Sequence, residues 1–213
     1  MTPASATASI PRAALMFAGV VTAIVVLVML VDLGARERIA QSAAELTAAR
    51  MAEVLPGGTY DSSLAGDVLT QELALFDADA PLPVHRYWRV GKPAAAILQV
   101  TVPDGYNGDI VLLVGVTADQ RISGVRVISH RETPGLGDDI ELRRSDWIKS
   151  FDTLSLSVLS EADWAVRRRG GQFDAFTGAT ITPQAVIRGV YRSLRWFEQH
   201  ATTVFEQPRT PSS

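Results

Sequence analysis

The segment Asp174-Ala175-Phe176-Thr177-Gly178-Ala179-Thr180-Ile181-Thr182-Pro183 places several hydroxyls and small residues directly ahead of a helical pattern. A helix N-terminus carries unpaired backbone N–H groups and a partial positive charge, so it attracts anions. A phosphate would be held well there, and Gly178 with Ala179 leaves room for a bulky group to approach the backbone. The same hydroxyls also suit an ordinary capped helix, with Thr182 as N-cap and Pro183 in the first turn. Spacing alone leaves both readings open.

A second candidate is the loop His130-Arg131-Glu132-Thr133-Pro134-Gly135-Leu136-Gly137. Its proline and glycines allow a fixed bend that brings backbone N–H groups close to a ligand. His130 and Glu132 are also of the types that bind metals or move protons. With only His85 and His200 elsewhere, no three-ligand set is visible, and a structural role for His130 is the simpler reading. The chain has no cysteine, which excludes disulfides, zinc thiolate sites, iron–sulfur clusters and thiol catalysis. Any redox chemistry must therefore come from a bound cofactor. A net charge of -3 argues against nucleic acid as a partner, since that affinity rests on clustered Lys and Arg.

The elements that must position these residues follow from periodicity. Ala95 to Val102, Ile110 to Thr117 and Arg121 to Ser129 are rich in β-branched residues and separated by short turn sequences, which predicts an antiparallel meander. Ile110 to Val116 is apolar almost throughout, so this strand is expected to be covered on both faces, with Gly115 at a close approach. A helix is expected from about Pro183 to Phe205, burying Val186, Ile187, Val190, Tyr191, Leu194 and Phe197. Arg188, Arg192 and Arg195 lie on another face, as a solvated stripe or a surface for an acidic partner. Residues from Thr59 to Val84, with apolar runs around Leu64 and from Leu73 to Phe76 and then Pro81 and Pro83, read as an irregular way into the domain.

Between Arg12 and Asp32 about 19 residues carry no charge. At ~1.5 Å per residue such a helix is roughly 30 Å long, the hydrocarbon thickness of a bilayer. A cleaved signal peptide has an apolar core of only about 7–15 residues and a small-x-small site, for which Leu33-Gly34-Ala35 is a poor match. An uncleaved anchor is expected, with Ala18, Gly19 and Thr22 as a small-residue packing face. Arg12 on one side and Arg36 and Arg38 on the other decide no orientation. The expected organisation is a terminus at 1–12, a transmembrane helix at 13–33, a helical stalk at 34–58, a domain at 59–206 and a disordered tail at 207–213. The fold class is α+β, an N-terminal transmembrane helix followed by an antiparallel-sheet domain with flanking helices.

Thr177-Gly178-Ala179-Thr180 resembles the S/T-G-A-T flavinylation motif of the FMN-binding subunits of the Rnf electron transport complex and of the sodium-translocating NADH:quinone reductase. The likeness extends over GYNGDIVLLVGVTADQRISGVRVISHRETPGLGDDIE, the Trp147 to Phe151 segment and FDAFTGATITPQAVIRGV, and includes the position of the N-terminal anchor. It covers most of the chain and is similar to the G subunit of Rnf rather than to the quinone reductase counterpart. It departs at Arg169, where the pattern has an acidic residue before Gly170-Gly171, and this alters the charge expected near the flavin.

The resemblance implies an FMN-binding domain with FMN attached covalently through its phosphate to Thr180, installed by a dedicated flavin transferase, with Thr177, Gly178 and Ala179 completing the motif. It implies that Glu132, Thr133, Leu136 and Gly137 contact the isoalloxazine ring, which needs an apolar surface on a face and a few hydrogen-bonding groups at its edge. Tyr106 sits where the related reductase subunit has an aromatic residue near the flavin, and equally suits an ordinary turn tyrosine. Arg167 or Arg168 either approaches the ring's polar edge or forms a solvated basic turn. The implied protein is single-pass in the cell inner membrane, with a cytoplasmic N-terminus and its FMN domain on the periplasmic side. It works beside other Rnf-type membrane subunits as a redox subunit of an ion-translocating oxidoreductase, not catalytic alone. Two alternatives remain at this point: a periplasmic flavin carrier of another electron chain, and a non-redox membrane-anchored adaptor whose TGAT segment merely caps a helix.

Overall fold

The structure, a computed structural model, describes residues 12–61, 67–72 and 81–209. The expected terminus before Arg12, the apolar runs around Leu64 and from Leu73 to Phe76, and the end of the tail at 210–213 lie outside the described residues. The chain forms two compact units, one ending at Leu46 and the other beginning at Thr47.

Helix α1 (Arg12–Val54) supplies the regular structure of the first unit. Within it, Ala14–Asp32 is a run of 19 residues with mean hydropathy 2.9 whose side chains are exposed, Leu15, Phe17, Ile24 and Leu30 among them. A helix apolar all round and uncovered by protein is suited to lipid rather than water.

The second unit is built on five antiparallel strands in chain order: β1 (Asp67–Glu72), β2 (Pro81–Arg89), β3 (Lys92–Gly105), β4 (Gly108–Thr117) and β5 (Ile122–Ser129). The meander follows from short connections, which let each strand fold back on the last. In the described part of the irregular entry expected up to Val84, residues 67–72 and 81–84 are instead paired as strands β1 and β2. Pro81 and Pro83 are tolerated because β2 pairs with β3 only from Val84 onward, so neither proline interrupts the β2–β3 ladder.

Strand β4 is covered on both faces, as its apolar run predicts. Ile110, Leu112, Val114 and Val116 join Leu98, Val100 and Val102 of β3 beneath helix α2 (Ile181–Glu206). Leu113 faces the other way, with Ile97 and Tyr87, against Met51 and Val54 from the end of α1. Gly115 and its cross-strand partner Gly124 form the seat for that end, since a Cβ on Gly115 would lie 2.5 Å from the Val54 carbonyl oxygen. On the α2 side, a Cβ on Gly189 would meet Val102 Cγ2 at 2.5 Å, so the helix lies close on the sheet. Val186, Ile187, Val190, Leu194 and Phe197 are buried there, each contributing about 1.5–3 kcal/mol by leaving water. Tyr191 is only half-buried.

Between β5 and α2 the chain makes short 3-10 turns rather than long elements. Aromatic rings hold this stretch together. Trp147 lies 5.0 Å from Phe176 and 5.4 Å from Phe151, and Phe151 lies 4.7 Å from Phe173. The Trp147 indole also donates to the Asp174 carbonyl at 2.9 Å. The segment leading into α2 is thus fixed from behind by packed rings.

Candidate functional site

A tight turn precedes α2. The Ala179 N–H donates to the Phe176 carbonyl at 3.2 Å, and Gly178 takes φ +81°, which a type II turn requires at its third position. The helix then begins at Ile181 with Thr180 as N-cap residue, two residues earlier than the expected Thr182 cap. Pro183 falls at the third helical position, where its missing N–H leaves no intrahelical bond unmade. Thr182 is buried, and its hydroxyl donates to Glu132 Oε2 instead of capping the helix. The Thr180 hydroxyl makes no capping bond. Of the expected capping hydroxyls, one is engaged elsewhere and one is left for other chemistry.

The loop from His130 to Gly137 faces this turn. The N–H groups of Leu136 and Gly137 both donate to the Thr133 carbonyl, at 3.1 and 3.0 Å, and the Gly135 N–H donates to Asp138 Oδ1 at 2.6 Å. Leu136, 44% exposed, reaches across so that its Cδ2 would lie 3.5 Å from a Cβ on Gly178. His130 holds the loop's base. Its Nδ1 accepts the Glu132 N–H at 3.1 Å and its Nε2 lies 2.7 Å from Glu141 Oε1, so the neutral ring carries its proton on Nε2. This is the structural role expected for it.

Between the two segments lies a cleft of about 370 Å³. It is lined by Tyr106, Glu132, Thr133, Leu136, Gly137, Gly178, Ala179 and Thr180, all singled out in the sequence. Thr177 is not in the lining; it lies exposed in the turn. Ile181, which had no assigned role, and Thr182, expected only as a helix cap, also line the cleft. Ile181 belongs to the helix's first turn, and its 50% exposure is what an apolar ligand surface needs. Arg167 turns away, pairing with Asp174 Oδ1 at 3.2 Å, and neither Arg168 nor Arg169 is in the lining. The arginine stripe on α2 is partly engaged within the chain, Arg188 with Asp104 and Arg195 over the Tyr191 ring at 5.8 Å.

The volume falls in the range of small-molecule sites, about 300–1,000 Å³. The cleft offers what an aromatic phosphate ester requires: apolar surface from Leu136, Ile181 and Tyr106, and a helix N-terminus beside an unengaged hydroxyl. These residues fit FMN.

Comparison with known proteins agrees. The family of FMN-binding domains matches residues 105–195. A relative from Pseudomonas aeruginosa (strain UCBPP-PA14), the G subunit of an ion-translocating oxidoreductase complex, is 48% identical over 173 residues, covering 81% of this chain and 81% of its own. The chain belongs to the family of G subunits of the ion-translocating oxidoreductase complex. The G subunit from Pseudoalteromonas atlantica is 41% identical over 84% of both chains, and that from Shewanella amazonensis is 37% identical over 94% of both. With this family and its long apolar helix, the chain is a membrane-anchored FMN-binding subunit.

The base of the loop also carries a pH dependence. A hydrogen bond from Arg143, with help from His130, holds the Glu141 carboxyl down at about 2 against the opposing effect of burial. A folded value below the unfolded one means stability that is present above about pH 4.5 and lost as pH falls toward 2. Because Arg143 is largely exposed, water screens the pair, and the effect is small. Urea titrations of wild type and Glu141→Gln should therefore differ at pH 6 and converge near pH 2; a gap independent of pH would contradict this.

Proposed function

We propose that Thr180 carries FMN as a phosphoester and that the chain serves as an electron-carrier subunit of an Rnf-type ion-translocating complex. The observation that carries the proposal is the Thr180 hydroxyl, unengaged by the helix it precedes and set in the wall of the cleft. The N–H groups of the first turn of α2 favour the phosphate's negative charge. Leu136, Ile181 and Tyr106 supply the apolar surface against which the ring rests. Bound FMN supplies one-electron and two-electron redox chemistry. A covalent bond suits a carrier, because the cofactor stays in place through the redox cycle and its position is set by the protein.

In this reading a flavin transferase installs the FMN, other Rnf-type membrane subunits provide the donor and acceptor, and the chain is not catalytic alone. α1 anchors it in the inner membrane with the cleft on the periplasmic side. Coexpressed with a flavin transferase, the wild-type chain should give a band that fluoresces under ultraviolet light after denaturing electrophoresis. A dark band would remove the covalent carrier. For topology, a C-terminal alkaline phosphatase fusion should be active, whereas a strongly fluorescent cytoplasmic reporter at the same end would overturn the periplasmic placement.

A further inference from the structure

Glu132 is 4% exposed, and both of its carboxylate oxygens already have donors. Oε1 accepts the Asn107 N–H at 3.0 Å, and Oε2 accepts the hydroxyl of Thr182, which is itself fully buried. Asn107 lies in the β3–β4 turn beside Tyr106, and Thr182 in the first turn of α2 beside Thr180. Asn107 reinforces the contact by donating from Nδ2 to Thr133 Oγ1 at 3.1 Å. One side chain therefore ties the loop to both other segments that wall the cleft.

The backbone has been shaped around this carboxylate. A Cβ on Gly137 would lie 2.9 Å from Glu132 Cβ and 3.0 Å from both Oε2 and Thr182 Oγ1, and one on Gly105 would lie 2.9 Å from Glu132 Oε1 as well as 2.4 Å from the Gly108 carbonyl oxygen across its own turn. Any larger residue at Gly137 would displace the carboxylate or its partner.

We infer that Asn107, Glu132 and Thr182 form a clamp that sets the geometry of the cleft, with Glu132 as its positioning residue. The clamp fixes the turn that carries Tyr106, the Leu136 loop and the start of α2 that carries Thr180 relative to one another. Glu132 then acts through these neighbours rather than as the flavin's own hydrogen-bond partner. What the clamp positions rests on the FMN reading; the clamp itself belongs to the chain without flavin. Fully satisfied buried networks of this kind rigidify a site, and removing the shared acceptor leaves donors unpaired on two sides.

The test uses the full-length chain in detergent, coexpressed with its flavin transferase, as wild type, Glu132→Ala and Glu132→Gln. Two quantities are read: amide hydrogen exchange at Asn107, and the native-state fluorescence anisotropy of the attached flavin. Glu132→Ala should lose protection at Asn107 and let the anisotropy of whatever flavin it carries fall toward that of a freely rotating flavin. Glu132→Gln keeps an oxygen for the Asn107 N–H and an amide that can donate to the Thr182 hydroxyl, so both values should return close to wild type. Wild-type values in Glu132→Ala, or a Gln variant that behaves like Ala, would overturn the clamp. Where Glu132→Ala does not fold, Thr182→Val removes the α2 tie alone; a smaller fall in anisotropy is expected, and an unchanged one overturns the proposal. If the wild-type chain carries no flavin, the FMN reading fails by itself, and exchange at Asn107 still decides the clamp.

Discussion

Thr180→Val is expected to abolish covalent flavin while leaving the fold intact. Valine keeps the β-branched shape, and the hydroxyl it removes makes no capping bond, so the stability change should stay within about 0.5 kcal/mol. The neighbouring threonines serve as controls with different outcomes. Thr177→Val changes an exposed turn residue outside the cleft lining and should leave the fold intact, and any loss of the band there would come through the motif rather than through loss of the attachment hydroxyl. Thr182→Val leaves a buried carboxylate oxygen without its donor and should cost about 1–3 kcal/mol, yet retain the band. Denaturing gels and thermal melts on the same preparations separate the effects. A fluorescent Thr180→Val band would place the attachment elsewhere.

Arg86→Met should produce the largest loss of stability. Arg86 is fully buried in β2, and its guanidinium closes the far end of the sheet. Nη2 meets Asp67 Oδ2 at 2.5 Å across the β1–β2 pairing, while Nη1 donates to the carbonyls of Val204 at 2.7 Å and Gln207 at 2.9 Å. Nη2 also donates to the Pro208 carbonyl at 3.0 Å. Removing the cation takes its arginine partner from a buried carboxylate and leaves several carbonyls without their donors, so the cost is about 3–5 kcal/mol. Adding Asp67→Asn should recover part of it, because the buried charge that faced Arg86 then disappears. Chemical denaturation of the single and double variants measures both. A loss under about 1 kcal/mol, with no coupling between the two sites, would contradict this role.

Much of this arrangement is legible in the chain. β3 to β5 announce themselves by β-branched runs between turn sequences, and the apolar stripe of α2 from Val186 to Phe197 matches its buried face. Strand β2 is hidden for two physical reasons. Pro81 and Pro83 argue against a strand in general, though here they lie beyond the β3 pairing. Arg86 breaks the apolar pattern because a long-range partner, not local burial preference, makes its position tolerable. The start of α2 is obscured for a related reason, since Thr182 has the chemistry of an N-cap but its hydroxyl is taken by Glu132, 50 residues away. Motif resemblance locates most of the cleft wall. It gives no role to Asn107, Ile181 or Thr182, whose contributions depend on which segments the sheet and helix bring together.

The most direct measurement is the mass of the tryptic peptide that follows Arg169 and ends at Arg188, taken from wild-type chain coexpressed with its flavin transferase. The account predicts that this peptide is heavier by FMN less one water, and that fragmentation puts the added mass on Thr180. An unmodified peptide, or the same mass on Thr177 or Thr182, would contradict it.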